Sequence, residues 1–76
     1  MLREVGYFIV CERIRPFGRY NFAAHPVYQS GLSEQDFPEP PPRAEYWGET
    51  EEEAITKARE AVQAWAKRVG VSLVEF

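Results

Sequence analysis

A chain of 76 residues, 45% hydrophobic and 28% charged, describes one small globular domain and excludes a disordered polymer. Its net charge of −3 works against general nucleic-acid binding, which needs a basic field. Its single cysteine, Cys11, excludes an internal disulfide and a cysteine-based zinc cluster, and fits a reducing cytoplasm.

A chain this short buries only about 60% of its unfolded surface, so the core is modest. Two Trp, four Tyr and five Phe supply it with large side chains. The early apolar run VGYFIVC is far shorter than the ~20 residues of a spanning helix. Glu12 and Arg13 follow it too closely for a signal peptide.

Residues 5–14, VGYFIVCERI, read as a strand rich in β-branched and aromatic residues. Alternation places Tyr7, Ile9 and Cys11 on one face, and Phe8, Val10 and Ile14 on the other. RPFGR, residues 15–19, is a turn, with Pro16 fixing one backbone angle and Gly18 accepting positive φ. A second strand follows at 20–28, YNFAAHPVY, with Tyr20, Phe22 and Ala24 on one face. So short a connection implies an antiparallel hairpin.

Residues 29–43, QSGLSEQDFPEPPPR, hold four of the six prolines and read as a long loop, partly polyproline-like. AEYW, residues 44–47, resumes a short strand that Gly48 ends. The helix signal comes next. Thr50 is an N-cap, Glu53 completes a capping box, Glu51 and Glu52 favour the positive helix end, and Lys67 and Arg68 favour the negative end. Ile55, Ala58, Val62, Trp65 and Val69 recur at spacings of 3 and 4, widened by Ala54, Ala61 and Ala66. Gly70 is the expected stop, and VSLVEF, residues 71–76, is a last strand. The order is β-β-β-α-β over a single domain, 1–76, in the α+β class. Right-handed crossover places the last strand parallel to the first, in sheet order 3-2-1-4.

This pattern resembles the HicB-like antitoxin domain. Gly48, Glu49 and Thr50 match the family's glycine–acid–hydroxyl turn, and Glu52, Glu53 and Ala54 match its E-E-A helix start. Gly18, Tyr20 and Pro26 occupy the places of its hairpin turn, aromatic strand and proline. The chain departs in its proline-rich insertion and in stopping at Phe76, where many members continue into a DNA-binding module. The resemblance implies a non-enzymatic protein-binding role without cofactor or metal. Its partner would be a HicA-type RNA-cleaving toxin, neutralised by occlusion.

One helix of about 19 residues spans ~28 Å and covers one face of a small sheet. The other face still receives apolar residues. That predicts a partner there, either a second copy giving a homodimer or a different small protein. Tyr20, Phe22, Tyr46 and Trp47 are the expected anchors, with Phe37 in the loop. The alternative is that the proline-rich loop folds back over this face with Phe37 as its plug.

Other chemistry is weaker. Cys11 and His25 form the one nucleophile-and-base pair, within reach if Ile14 pairs with Tyr20, but no third orienting residue is evident. A buried small hydrophobe beside a surface histidine is the ordinary reading. Glu34, Asp36 and Glu39 lack the ordered oxygen spacing of a calcium loop and read as solvated charges. Arg13, Arg15 and Arg19, with Tyr20 and Phe22, make a basic-aromatic hairpin tip of the kind that stacks on single strands, or simply a soluble hairpin end. PEPPPR, residues 38–43, has P-x-x-P-x-R spacing, against which stands the plain reading of a stiff loop.

Overall fold

The helix is set by its two ends. In a computed structural model, which describes residues 3–76 apart from the side chain of Glu34, the helix α1 runs Glu51–Val69. Thr50 is extended, at φ −122° and ψ 161°, and its hydroxyl accepts the Glu53 N–H at 3.1 Å. The Glu53 carboxylate reaches back to the N–H of Glu49 at 3.1 Å, one residue earlier than the usual capping box. At the far end Gly70 takes the left-handed conformation, φ 75° and ψ 38°, and its N–H bonds to the Ala66 carbonyl at 2.8 Å. Lys57 pairs with Glu53 one turn earlier at 3.2 Å.

The strands are β1 (Arg3–Phe17), β2 (Tyr20–Tyr28), β3 (Tyr46–Gly48) and β4 (Val71–Glu75). They form one sheet in the order β3-β2-β1-β4. The β1–β2 and β2–β3 pairs are antiparallel, whereas β1 and β4 run parallel. The fold is therefore the expected α+β arrangement. β1 outruns the expected strand at both ends. It continues through Pro16 because the ladder register shifts between Arg13 and Phe17, so the missing proline N–H interrupts no regular bond.

A second proline limits β3. Gln29 donates its N–H to the Gly6 carbonyl, so the odd residues of β2 bond toward β1 and the even ones toward β3. Phe22 and Ala24 pair with Gly48 and Tyr46, and the next residue on that side would be Pro26, which has no N–H to offer.

Register assigns the faces. Val5, Tyr7, Ile9 and Cys11 of β1 share the helix side with Phe22, Ala24, Pro26 and Tyr28 of β2. The helix buries Ala54, Ala58, Val62, Trp65 and Ala66 against them. Near β3 the contact is small. Ala54, Ala58 and Ala24 meet there, bordered by Ile9, Cys11, Phe22, Tyr46 and Ile55. At the other end Trp65 packs with Val5, Phe37 and Ala66, bordered by Tyr28, Leu32, Val69, Val71 and Leu73.

The proline-rich loop closes this second cluster. Phe37 meets Trp65 edge-on at 5.2 Å, the Trp65 indole N–H donates to the Glu39 carbonyl at 2.8 Å, and the Tyr28 hydroxyl donates to the Pro42 carbonyl at 2.6 Å. Arg3–Asp36 and Arg68–Glu39 ion pairs fasten its rim. The loop thus plugs the helix side, not the open face, and Phe37 is a core residue at 9% exposure. Among the described residues no helix is long and apolar enough to cross a membrane.

Candidate functional site

Among the described residues, the face of the sheet opposite α1 carries no covering element. Its in-register residues are Glu4, Phe8, Val10 and Glu12 of β1, Ala23, His25 and Val27 of β2, Trp47 of β3 and Ser72 and Val74 of β4. The large apolar members are well exposed: Phe8 at 42%, Trp47 at 37% and Val74 at 39%. Phe76 continues from β4, its N–H bonded to the Tyr7 carbonyl at 2.9 Å, and its ring lies over Gly6. A Cβ at residue 6 would stand 2.5 Å from that ring, so glycine makes the seat.

Trp47 is the centre of an aromatic corner. Phe17 meets it edge-on at 5.5 Å and Tyr20 at 6.0 Å, each in the geometry that aromatic pairs prefer. Its backbone is held from the helix, where the Lys57 ammonium donates to the Trp47 carbonyl at 2.7 Å and sits 5.3 Å from the Tyr20 ring. Arg19 pairs with Glu49 at 3.1 Å and lies over the Tyr20 ring at 5.8 Å. The corner is therefore held in place while its outer rings remain in solvent.

The predicted anchors separate. Trp47 belongs to the open face, with Tyr20 beside it. Phe22 and Tyr46 point to the helix and border the alanine cluster. Phe37 is occupied by Trp65 and by the Arg3 guanidinium, 4.9 Å from its ring centre. Phe8, Phe17, Val74 and Phe76 were not among the expected anchors. Strand alternation carries the signal for Phe8, Val74 and Phe76 once β4 is placed beside β1.

The remaining candidates are also located. Cys11 pairs with Ala24 and His25 with Val10, so the two side chains lie on opposite faces of the sheet. The dyad required a register one residue different, and no proton passes between them in this one. Burial pushes the Cys11 thiol above its ordinary range, and the carboxylates of Glu51 and Glu12 push it the same way, which disfavours the thiolate. Asp36 and Glu39 turn to different arginines, and no cluster of three metal-ligating side chains occurs among the described residues. The Glu34 side chain lies outside the described residues. Arg68 holds the Glu39 carboxyl below the usual range.

Of the hairpin arginines, Arg19 is engaged with Glu49, Arg13 lies 6.0 Å from the Phe22 ring, and Arg15 is exposed at the tip. The PEPPPR segment is committed to its own domain: Pro41 is buried, and the carbonyls of Glu39 and Pro42 receive Trp65 and Tyr28. A groove of about 440 Å³ runs along the helix flank formed by Glu51, Glu52, Ile55, Thr56 and Arg59. Comparison with known proteins finds no matching family model, no matching curated protein and no matching solved structure.

Proposed function

We propose that this chain is a protein-binding module whose open sheet face is covered by a small protein partner, without chemistry of its own. The observation that carries the reading is the set of exposed aromatics on that face, Phe8 and Trp47 with Phe17 and Phe76 at its margins. A small domain gains nothing in stability from exposing such rings to water, whereas a partner that covers them recovers the hydrophobic energy. Trp47 is suited to be the central anchor, because its backbone is clamped and only the ring's outer side is left to contact.

The resemblance to HicB-like antitoxin domains agrees with this reading and gives it a concrete form. The partner would be a HicA-type RNA-cleaving toxin, and the sheet would act by lying over its working surface. The charged residues at the open-face positions of β1, Glu4 and Glu12, suit a basic partner of that kind.

The test is a tagged capture from the native host, with the mass of the intact complex, run in parallel on the wild type and on Trp47→Ala. A stoichiometric small basic protein that the substitution releases, from a domain that still unfolds cooperatively, supports the reading. A partner that stays bound to Trp47→Ala and to Phe8→Ser alike removes the open face from the interaction.

A further inference from the structure

Strand β1 is paired on one side for most of its length and on the other only near its start. β4 reaches from Arg3 to Tyr7, and beyond that point nothing among the described residues pairs the same edge. The direction of the backbone groups follows from the ladders. The Gly6 carbonyl accepts from Gln29 on the β2 side, and the Tyr7 carbonyl accepts from Phe76 on the β4 side. Alternation then turns the N–H and C=O of Ile9, Cys11 and Arg13 outward, into a free edge.

This edge lies beside the helix groove. Ile9 and Cys11 of the edge and Ile55 of the groove border the same alanine cluster, and Glu51 is close enough to raise the Cys11 pKa. At the groove's far end Arg59 is neutralised by a bidentate pair with Glu75, at 2.8 and 2.7 Å. Glu51 and Glu52 form no ion pair among the described residues, and neither does Arg13 on the strand. Acids stand on the helix flank, and on the edge itself stands Arg13, which lies 6.0 Å from its own Phe22 ring and has no ion pair among the described residues.

We infer that two copies of the chain join through this edge, β1 antiparallel to β1 across a two-fold axis normal to the sheet, to make one continuous eight-stranded sheet. The register follows from the same residues. With Cys11 opposite Cys11, Ile9 faces Arg13 of the second copy and all three outward residues of each strand are bonded. Val10 then faces Glu12 on the open face, and the regular pairing stops at Arg13, short of the place beside Phe8 that Phe76 holds. Sliding by one step so that Cys11 faces Arg13 sets Glu12 against Glu12, a like-charge pair that is disfavoured. In the chosen register Arg13 enters the other copy's groove between the two helix flanks, where Glu51 and Glu52 are. A two-fold interface requires a patch that complements itself, and this edge does. The Arg13–Phe17 irregularity and Pro16 bend the strand away before it meets the other copy's β4. The inference is independent of the proposed partner, because the open face stays uncovered in this dimer.

Cys11 is the chain's own probe. The Cα atoms of a directly opposed, hydrogen-bonded pair are about 5.5 Å apart, inside the range a disulfide spans. The full chain is sized by light scattering over a range of concentrations, and Cys11 is oxidised with copper–phenanthroline under native conditions. The expected result is a concentration-dependent dimer that yields a Cys11–Cys11 linked species. Arg13→Pro removes one outward N–H from each strand without touching the β2 ladder, so it should weaken the dimer roughly tenfold or more and abolish the cross-link. Arg13→Glu should weaken it too, and Glu51→Arg with Glu52→Arg in the same chain should restore it. Circular dichroism confirms that each variant is folded. A chain that stays monomeric at every concentration overturns the inference. So does a dimer that survives Arg13→Pro or does not link through Cys11.

Discussion

Gly48→Ala tests how closely the helix start approaches β3. A Cβ at residue 48 would stand 2.5 Å from the Ala54 amide nitrogen, 2.9 Å from the Thr50 carbonyl oxygen and 3.0 Å from the Glu53 Cβ. The first two are backbone atoms of the capped helix turn, so no flexible side chain can swing aside. Residue 48 does not lie in the left-handed region, so backbone preference contributes no strain there. The cost is contact alone, about 1–3 kcal/mol for overpacking of this kind. Stiffening the unfolded chain returns about 0.4–1 kcal/mol. The net loss should be about 1–2 kcal/mol. At a urea slope of about 1 kcal/mol/M for so small a domain, the midpoint should fall by about 1–2 M with the slope unchanged. Gly6→Ala makes a useful contrast, because the ring it meets belongs to the exposed side chain of Phe76, which can rotate. Its midpoint should move less. If Gly48→Ala matches or exceeds the wild type in stability, the helix does not begin against β3 and the reasoning fails.

Trp65 is fully buried and joins the helix to the loop, so Trp65→Ala should remove about 3–5 kcal/mol, enough to abolish cooperative unfolding. Trp65→Phe should remain folded but lose the bond to the Glu39 carbonyl, and limited proteolysis should then cut within 29–43 faster than in the wild type. The bidentate Arg59 pair, and after it a 2.6 Å hydrogen bond donated by the Tyr7 hydroxyl, hold the Glu75 carboxyl below the ordinary range. Its stabilisation is whole above the unfolded value of about 4.3 and is lost as pH falls through the lower folded value. Glu75→Gln should therefore lower the urea midpoint at neutral pH, with a smaller difference from the wild type at about pH 3. Burial, reinforced by Glu75, pushes the Tyr7 phenol up to about 12, and burial raises Tyr28 as well, against the opposing pull of Arg43. A phenol held protonated by the fold stabilises fully below its unfolded value of about 10 and less as pH climbs toward the folded one. Stability should fall above about pH 10, and Tyr7→Phe should flatten that decline.

The helix was the most legible element. Thr50 and Gly70 are local signals whose chemistry acts within one turn, and the structure begins and ends α1 beside them. The sheet order followed from crossover handedness, which needs only the element order. Register was not legible, because it depends on where the hairpin turns. An assumed pairing of Ile14 with Tyr20 brought Cys11 and His25 to one face, whereas the observed shift after Arg13 separates them. The destination of the proline-rich loop was equally hidden. Phe37 as a plug was readable from composition, but the cavity it fills is created by Trp65, Val5 and Tyr28, which meet only in the folded chain. The same limit applied to the site. Aromatic abundance pointed to an uncovered face, yet Phe22 and Tyr46 were spent on the helix side while Phe8 and Phe76 took the open one.

The most direct measurement of the central claim is hydroxyl-radical footprinting of the isolated chain beside the complex captured from its host. The account predicts that Phe8, Trp47 and Phe76 are labelled in the isolated chain and protected in the complex, with Trp65 unlabelled in both. Equal labelling of Trp47 and Phe8 in the two samples would contradict it, and the open sheet face would not be where this protein meets its partner.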